Sequence, residues 1–392
     1  MMMDSVIISA LNIIKESLWG TDPVQPLDIA DAESVYILLQ KHAIYAIPAE
    51  VIKHIDIPEY LREKWKRQIL GQIFQYATIV NAQNEVLSAL EKEGIPIIVL
   101  KGTAAAQYYP VPQYRVMGDI DLLVKKEDFY RAVKAIIAQN YATSESEHDI
   151  DRHISFSKGN VMIELHWRFA SENVISNPSE FDDILYADIK CGCTVLSDSQ
   201  NGLVLLEHIA QHLNNGIGLR QIIDWMMYVN QCLDDDLWDR EFRILAEKTG
   251  LDKLAIHVTR MCQIYLGLKE ENITWCMGAD ETSCENLLEY IINCGNFGRA
   301  RESWESGEIT KIPSPRHPIR LLKYLQERGK KGWTLCRKYP ALKSVAWAYQ
   351  LNRYIRIAKE SKAKGITVKE TYDKGSMRRD MFNKLGIRIK TQ

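Results

Sequence analysis

Apolar side chains at Ile7, Ile8, Leu11, Ile14 and Leu18 recur at helical spacing and predict an amphipathic helix near the start of the chain. A longer periodic stretch, Pro58 to Lys92, predicts a second helix, with Pro58 in its first turn and Gly94 ending it. The period then changes. Ile95 to Leu100 is a short, β-branched apolar run, the signature of a buried strand. Thr103 to Tyr109 is alanine-rich and reads as a short helix that opens at Gly102 and is stopped by Pro110 and Pro112. In Asp119-Ile120-Asp121-Leu122-Leu123-Val124 the pattern alternates, so Ile120, Leu122 and Val124 enter a core while Asp119 and Asp121 share the opposite face. Glu127 to Asn140 returns to helical spacing through Phe129, Val133, Ile136 and Ile137. Strands at His153 to Ser157 and Val161 to Trp167 flank Lys158-Gly159-Asn160, a hairpin pattern. From Gly202 the pattern is helical again, through Leu203 to Leu213 and Arg220 to Asn230.

These elements predict an α+β fold. A small mixed β-sheet core, residues 95–196, lies between a helical N-terminal region, 1–94, and a helical domain, 197–310; a mainly helical C-terminal region, 311–392, follows. Lys311-Ile312-Pro313-Ser314-Pro315-Arg316-His317-Pro318 is the proline-punctuated connector to that last region. Beyond it, Trp333, Leu335, Leu342, Trp347, Tyr349, Leu351, Tyr354 and Ile357 are expected to pack as helix to about residue 360.

Composition changes this picture in one respect. The chain has 49 Lys+Arg and 51 Asp+Glu, but 22 of the basic and only 5 of the acidic residues lie from Lys311 onward. An acidic body is thus joined to a basic end, suited either to nucleic acid or to the body itself. Eight cysteines are scattered without paired CxxC spacing, and Cys191-Gly192-Cys193 is an isolated CxC; reduced thiols in a cytoplasmic protein are expected. No run of 18 uncharged apolar residues predicts a membrane span, and the first stretch lacks the basic flank and small-residue site of a signal peptide.

The chemistry concentrates between residues 95 and 167. Asp119 and Asp121 leave the strand roughly 6 to 7 Å apart, twice the rise of ~3.3 Å per residue, and repel each other unless a cation lies between them. Hard carboxylate oxygens suit Mg²⁺ or Mn²⁺. Glu164 stands in an otherwise apolar strand, where a charge is costly without a partner, and is the candidate third carboxylate. The Lys101-Gly102-Thr103 turn offers a close backbone approach, helix-opening N–H groups and a hydroxyl to a phosphate, and Lys101 and Arg115 can neutralise a triphosphate. Lys101 could instead be a solvated strand end, and Arg115 could pair with Asp119 or Asp121. His166 shares the Glu164 face as a substrate or metal contact or a structural histidine. His208 and His212, four apart on one helical face, are read as structural or substrate-contacting, and Arg220 with Asp224 as an i,i+4 helix pair.

These residues resemble the nucleotidyltransferases of the DNA polymerase beta superfamily, in particular an uncharacterised bacterial group. That pattern is met here by Leu100-Lys101-Gly102, Tyr109-Pro110, Arg115, Asp119 to Val124 and Glu164 to Trp167, and continues through Glu207 to His212 and Arg220 to Asp224, covering about residues 70 to 230. The resemblance implies a metal-dependent transferase that moves a nucleoside monophosphate from an NTP to an acceptor hydroxyl, with release of pyrophosphate. It assigns Asp119, Asp121 and Glu164 to catalysis and Mg²⁺ or Mn²⁺ binding, and Gly102 with Thr103 to the β,γ-phosphates. Lys101 and Arg115 join the nucleotide site, and His166 and His212 are candidate substrate contacts. The wider superfamily carries its Gly-Ser or Gly-Gly closer to the aspartates, whereas Thr103 lies 16 residues before Asp119. Two alternatives stand beside this: a toxin-like enzyme adding nucleotides to tRNA, with the basic end gripping RNA, and a noncatalytic nucleotide-binding or scaffold protein.

Overall fold

The computed structural model describes residues 4–20, 29–143, 152–171, 174–175, 177–189, 193–213, 216–295, 318–363 and 377–387. The expected connector up to His317 and Cys191 lie outside the described residues. The chain forms two compact units, Met1–Arg299 and Ala300–Gln392.

The first unit is α+β. It opens with helices α1 (Ser5–Trp19) and α2 (Ile29–Lys41) and the 34-residue α3 (Glu59–Lys92). Helix α3 turns one stripe inward, Leu61, Trp65, Ile69 and Gln72 near its start and Ile79, Ala82, Val86 and Leu90 near its end. Phe74, on the opposite face, is 75% exposed. Then come β1 (Ile98–Leu100), α4 (Gly102–Ala106), β2 (Asp119–Leu123), α5 (Phe129–Ala138), β3 (His153–Lys158) and β4 (Val161–His166).

Strand order is β1-β2-β4-β3. Strands β1 and β2 are antiparallel, β2 and β4 parallel, and β3 and β4 an antiparallel hairpin. The parallel step uses α5 in its crossover, so both strands present their ends on the same side. Ile120, Leu122, Ile163 and Leu165 join the end of α3 and α5 in one buried cluster. In α5, Phe129, Val133 and Ile136 are buried as expected, but Ile137 is exposed, while Ala132 is buried in the core cluster. Strand β1 is shorter than expected: Ile98 already pairs with Leu123, the last residue of β2, so Ile95 and Ile97 lie beyond the ladder, yet both are buried.

Helices α6 (Pro178–Tyr186), α7 (Asp198–Leu213) and α8 (Leu219–Cys232) follow. Helix α7 is buried over almost its whole length. At Gly202 a Cβ would lie 2.5 Å from the Tyr228 hydroxyl and 2.6 Å from the Phe242 ring, so only glycine lets α7 and α8 approach this closely. A short turn of helix, Asp235–Leu237, runs through a π-helical segment, Trp238–Phe242, into the helix Arg243–Thr249, and the helices Asp252–Leu266 and Glu281–Cys294 follow.

In the second unit the helices Pro318–Gly332 and Ala346–Ala363 cross where a Cβ on Gly329 would come within 2.0 Å of the Ala346 carbonyl oxygen. Helical structure is as expected, but the buried set differs. Tyr324, Leu325, Ala346 and Phe382 are buried, whereas Leu335, Trp347 and Leu351 are exposed. Trp333 and Tyr349 stack on each other, ring centroids 4.9 Å apart. Among the described residues no helix is long and apolar enough to cross a membrane.

Candidate active site

The register of the two parallel strands sets the site. Asp121 pairs with Glu164 and Asp119 with Met162, while Leu100, the residue before the Lys101 turn, pairs with Asp121. Carboxylates from β2 and β4 therefore stand on adjacent strands at one end of the sheet. They line a cavity of about 260 Å³, shared with Lys101, Gly102 and Arg115 from the turn and the stretch after it. Arg152, His153 and His166 come from the hairpin, and His208, Gln211, His212 and Arg220 from α7 and α8.

Asp121, 3% exposed, is held on two sides. The Lys101 Nζ lies 2.8 Å from its Oδ1 and the His166 Nε2 3.1 Å from the same oxygen; His166 Nε2 is also 3.5 Å from Glu164 Oε2. Burial alone would raise the Asp121 carboxyl, but the Lys101 charge and the His166 hydrogen bond hold it well below the usual carboxylate range. The His166 hydrogen bond likewise lowers Glu164. For His166, burial works against the imidazolium and the two carboxylates more than offset it, so its pKa is raised; Lys101 is raised in the same way. Burial and the Asp121 charge push Asp119 up. Lys101 is itself a backbone outlier, with φ 50° and ψ −130° at the end of β1, a conformation unusual for a residue with a Cβ.

The donor chemistry suits a divalent ion. Asp121, Glu164 and His166 each offer one ligand atom, and the three lie within 4.8 Å of one another. Sequence spacing grouped Asp119, Asp121 and Glu164; the structure draws Asp121, Glu164 and His166 closest together and places Asp119 on the same cavity wall.

Other expected residues fall differently. The Thr103 hydroxyl donates to Gln83 Oε1 on α3 at 2.6 Å, away from the cavity lining. Arg115 pairs with neither strand aspartate: its Nε and Nη2 donate to the two oxygens of Asp224, each at 2.7 Å, deep in the protein. Asp224 thus hydrogen-bonds Arg115, while Arg220, one turn away and attracted by the Asp224 charge, donates to the Val116 carbonyl. His208 and His212 meet edge to face, ring centroids 4.6 Å apart. Burial holds both below the usual imidazole range, His212 at about 4, so both are neutral near pH 7. Sequence reasoning assigned no role to Arg152, His153 and Phe169, which flank or belong to the β3–β4 hairpin, and quoted Gln211 of α7 only within a matched stretch; all four line the cavity. The Phe169 ring lies under the Lys101 ammonium, 5.4 Å from its centroid, and the Phe169 and Ala170 N–H groups donate to the buried Asp182.

A family described as an uncharacterised nucleotidyltransferase matches residues 28–267, from α2 to the end of the helix Asp252–Leu266. The chain belongs to this family. No curated protein and no solved structure matches it. Membership makes the protein a transferase acting in nucleotidyl transfer, and the matched span contains every residue of the cavity.

Proposed function

We propose that this nucleotidyltransferase moves a nucleoside monophosphate from a nucleoside triphosphate to an acceptor hydroxyl and releases pyrophosphate, using Mg²⁺ or Mn²⁺. The observation that carries this reading is the register pairing of Asp121 with Glu164, facing a charged cavity beside Asp119. Asp119, Asp121 and Glu164 would hold the divalent ions, with His166 close enough to join them; a nitrogen donor is better matched to Mn²⁺ than to Mg²⁺. Bound there, the ions would stabilise charge on the transferring phosphoryl group and make the acceptor oxygen easier to deprotonate.

The chain's own side chains then divide the work. Lys101, already beside Asp121, is placed to meet phosphate oxygens, and Gly102 lets the backbone come close to them. Arg115 is committed to Asp224, and the other arginines lining the cavity, Arg152 and Arg220, would add positive charge toward a triphosphate, Arg220 while also holding the Val116 carbonyl. Glu164, ionised at neutral pH, can take the acceptor proton, and neutral His212 can accept a hydrogen bond from the acceptor. Catalysis is mainly positioning and electrostatic stabilisation. Incubating the protein with each triphosphate, Mn²⁺ and cell extract, and following pyrophosphate release and mass gain of the acceptor, tests the proposal. Triphosphate binding by calorimetry without pyrophosphate release would favour the noncatalytic alternative.

The basic C-terminal region favours an RNA acceptor, such as tRNA, as a second reading. Its support is charge, since Trp333 and Tyr349 stack on each other, and among the described residues there Tyr339 and Trp347 are exposed rings. A tRNA shift that fades with added salt supports it, and no shift at low salt contradicts it.

A further inference from the structure

The stretch between Thr103 and Asp119 is gripped from three directions just before it delivers the strand aspartates. Gln72 on α3 donates to the Arg115 carbonyl at 2.9 Å, and Arg220 on α8 donates to the next carbonyl, Val116, at 2.9 Å. Between these holds, the Arg115 side chain forks onto Asp224 of α8 with two bonds of 2.7 Å, and the Tyr109 hydroxyl donates to the same Asp224 Oδ1 at 2.7 Å. Asp224 is 1% exposed, Arg115 4% and Tyr109 4%, so solvent does not compete with the network. A bidentate arginine–carboxylate pair fixes direction as well as distance. Val116 and Met117 lead directly from this anchor to Asp119, and Met117 is itself buried in the core cluster.

We propose that Asp224 is a positioning residue: it withholds Arg115 from the nucleotide and uses it to fix where β2 begins, and so where Asp119 and Asp121 stand relative to Glu164. This rests on the reading of those aspartates as divalent-ion ligands. It also explains why an arginine lining the cavity directs both its Nε and its Nη2 away from the aspartates. A displacement of the ligands by about 1 Å is enough to cost on the order of 100-fold in rate.

The test uses the full chain. Asp224→Asn, Arg115→Lys and the apolar pair Arg115→Met with Asp224→Leu are compared with wild type by thermal melting, calorimetric Mn²⁺ titration and steady-state kinetics. The double variant is included because a lone charge left from the Arg115–Asp224 pair can unfold the protein, whereas removing both leaves neither half of that pair unpaired and Arg220 still bonded to the Val116 carbonyl. In every variant that folds, Mn²⁺ affinity is expected to fall about 10- to 100-fold, and kcat to fall more than KM for the triphosphate changes. Unchanged Mn²⁺ affinity in a folded variant overturns the proposal. So does a raised KM with unchanged kcat in Arg115→Lys, which would make Arg115 a nucleotide ligand. If wild type itself shows no Mn²⁺ binding that Asp121→Asn abolishes, the metal reading fails first and this inference with it; wild-type binding with unaltered variants sinks the positioning role alone.

Discussion

Asp121 shows how much of a site is carried by side-chain choices that no local pattern records. The alternation of β2 was enough to place both aspartates, and Glu164 was legible as a charge in an apolar strand. Its Lys101 and His166 partners follow from strand register, which the sequence states only indirectly. Arg115 was not legible: its carboxylate partner lies 109 positions away, while periodicity offered Asp224 a nearer partner in Arg220. Asp121→Asn should reduce transfer by about 1000-fold or more, with the fold retained in circular dichroism. A second residue-scale prediction concerns Glu207, fully buried on α7, where it accepts from the Ser171 N–H at 2.8 Å and from Gln211. Burial pushes its carboxyl up from 4.5 to about 7. The ionised form is therefore the costly one in the folded state. Below about pH 4.5 the group is protonated in both states and has no effect; from there to about pH 7 stability falls, by about 3 kcal/mol in all. Glu207→Gln should melt higher than wild type at pH 8, with the gap closing as the pH approaches 4.5. A gap independent of pH would contradict this.

Elements were easier to read than their junctions. Helix α3, strand β2 and the β3–β4 hairpin stand where periodicity and turn residues put them, because each carries a strong pattern over its own length. Strand β1 is shorter than its apolar run, since pairing is set by the partner strand and not by hydrophobicity. The packing of α7 on α8 was invisible for the same reason: a glycine in a helix does not announce which neighbour needs the space. Gly202→Ala should destabilise the first unit by about 1–3 kcal/mol, read from denaturant unfolding, since Tyr228 and Phe242 are both buried and have little room to yield. A change of a few tenths of a kcal/mol would show that the two helices can part. In the second unit the helices were legible but their close approach at Gly329 and Ala346 was not; there Trp333 and Tyr349 stack while Leu335, Trp347 and Leu351 are exposed.

At the scale of the whole molecule, charge asymmetry was fully readable and its purpose was not, because composition does not distinguish a partner from self-complementation. If the basic end grips RNA, converting the exposed Arg320, Lys323, Arg356 and Lys359 to glutamate should weaken tRNA binding and make its log–log salt dependence shallower by about 3. Equal salt slopes for wild type and variant would exclude that surface. The central claim, nucleotidyl transfer at the Asp121–Glu164 pair, is tested most directly by pyrophosphate release from α-labelled triphosphate with Mn²⁺, wild type against Asp121→Asn and Glu164→Gln at matched melting temperature. Release and label transfer are expected with wild type and neither with the two variants; equal turnover by all three proteins would rule out transfer at this pair.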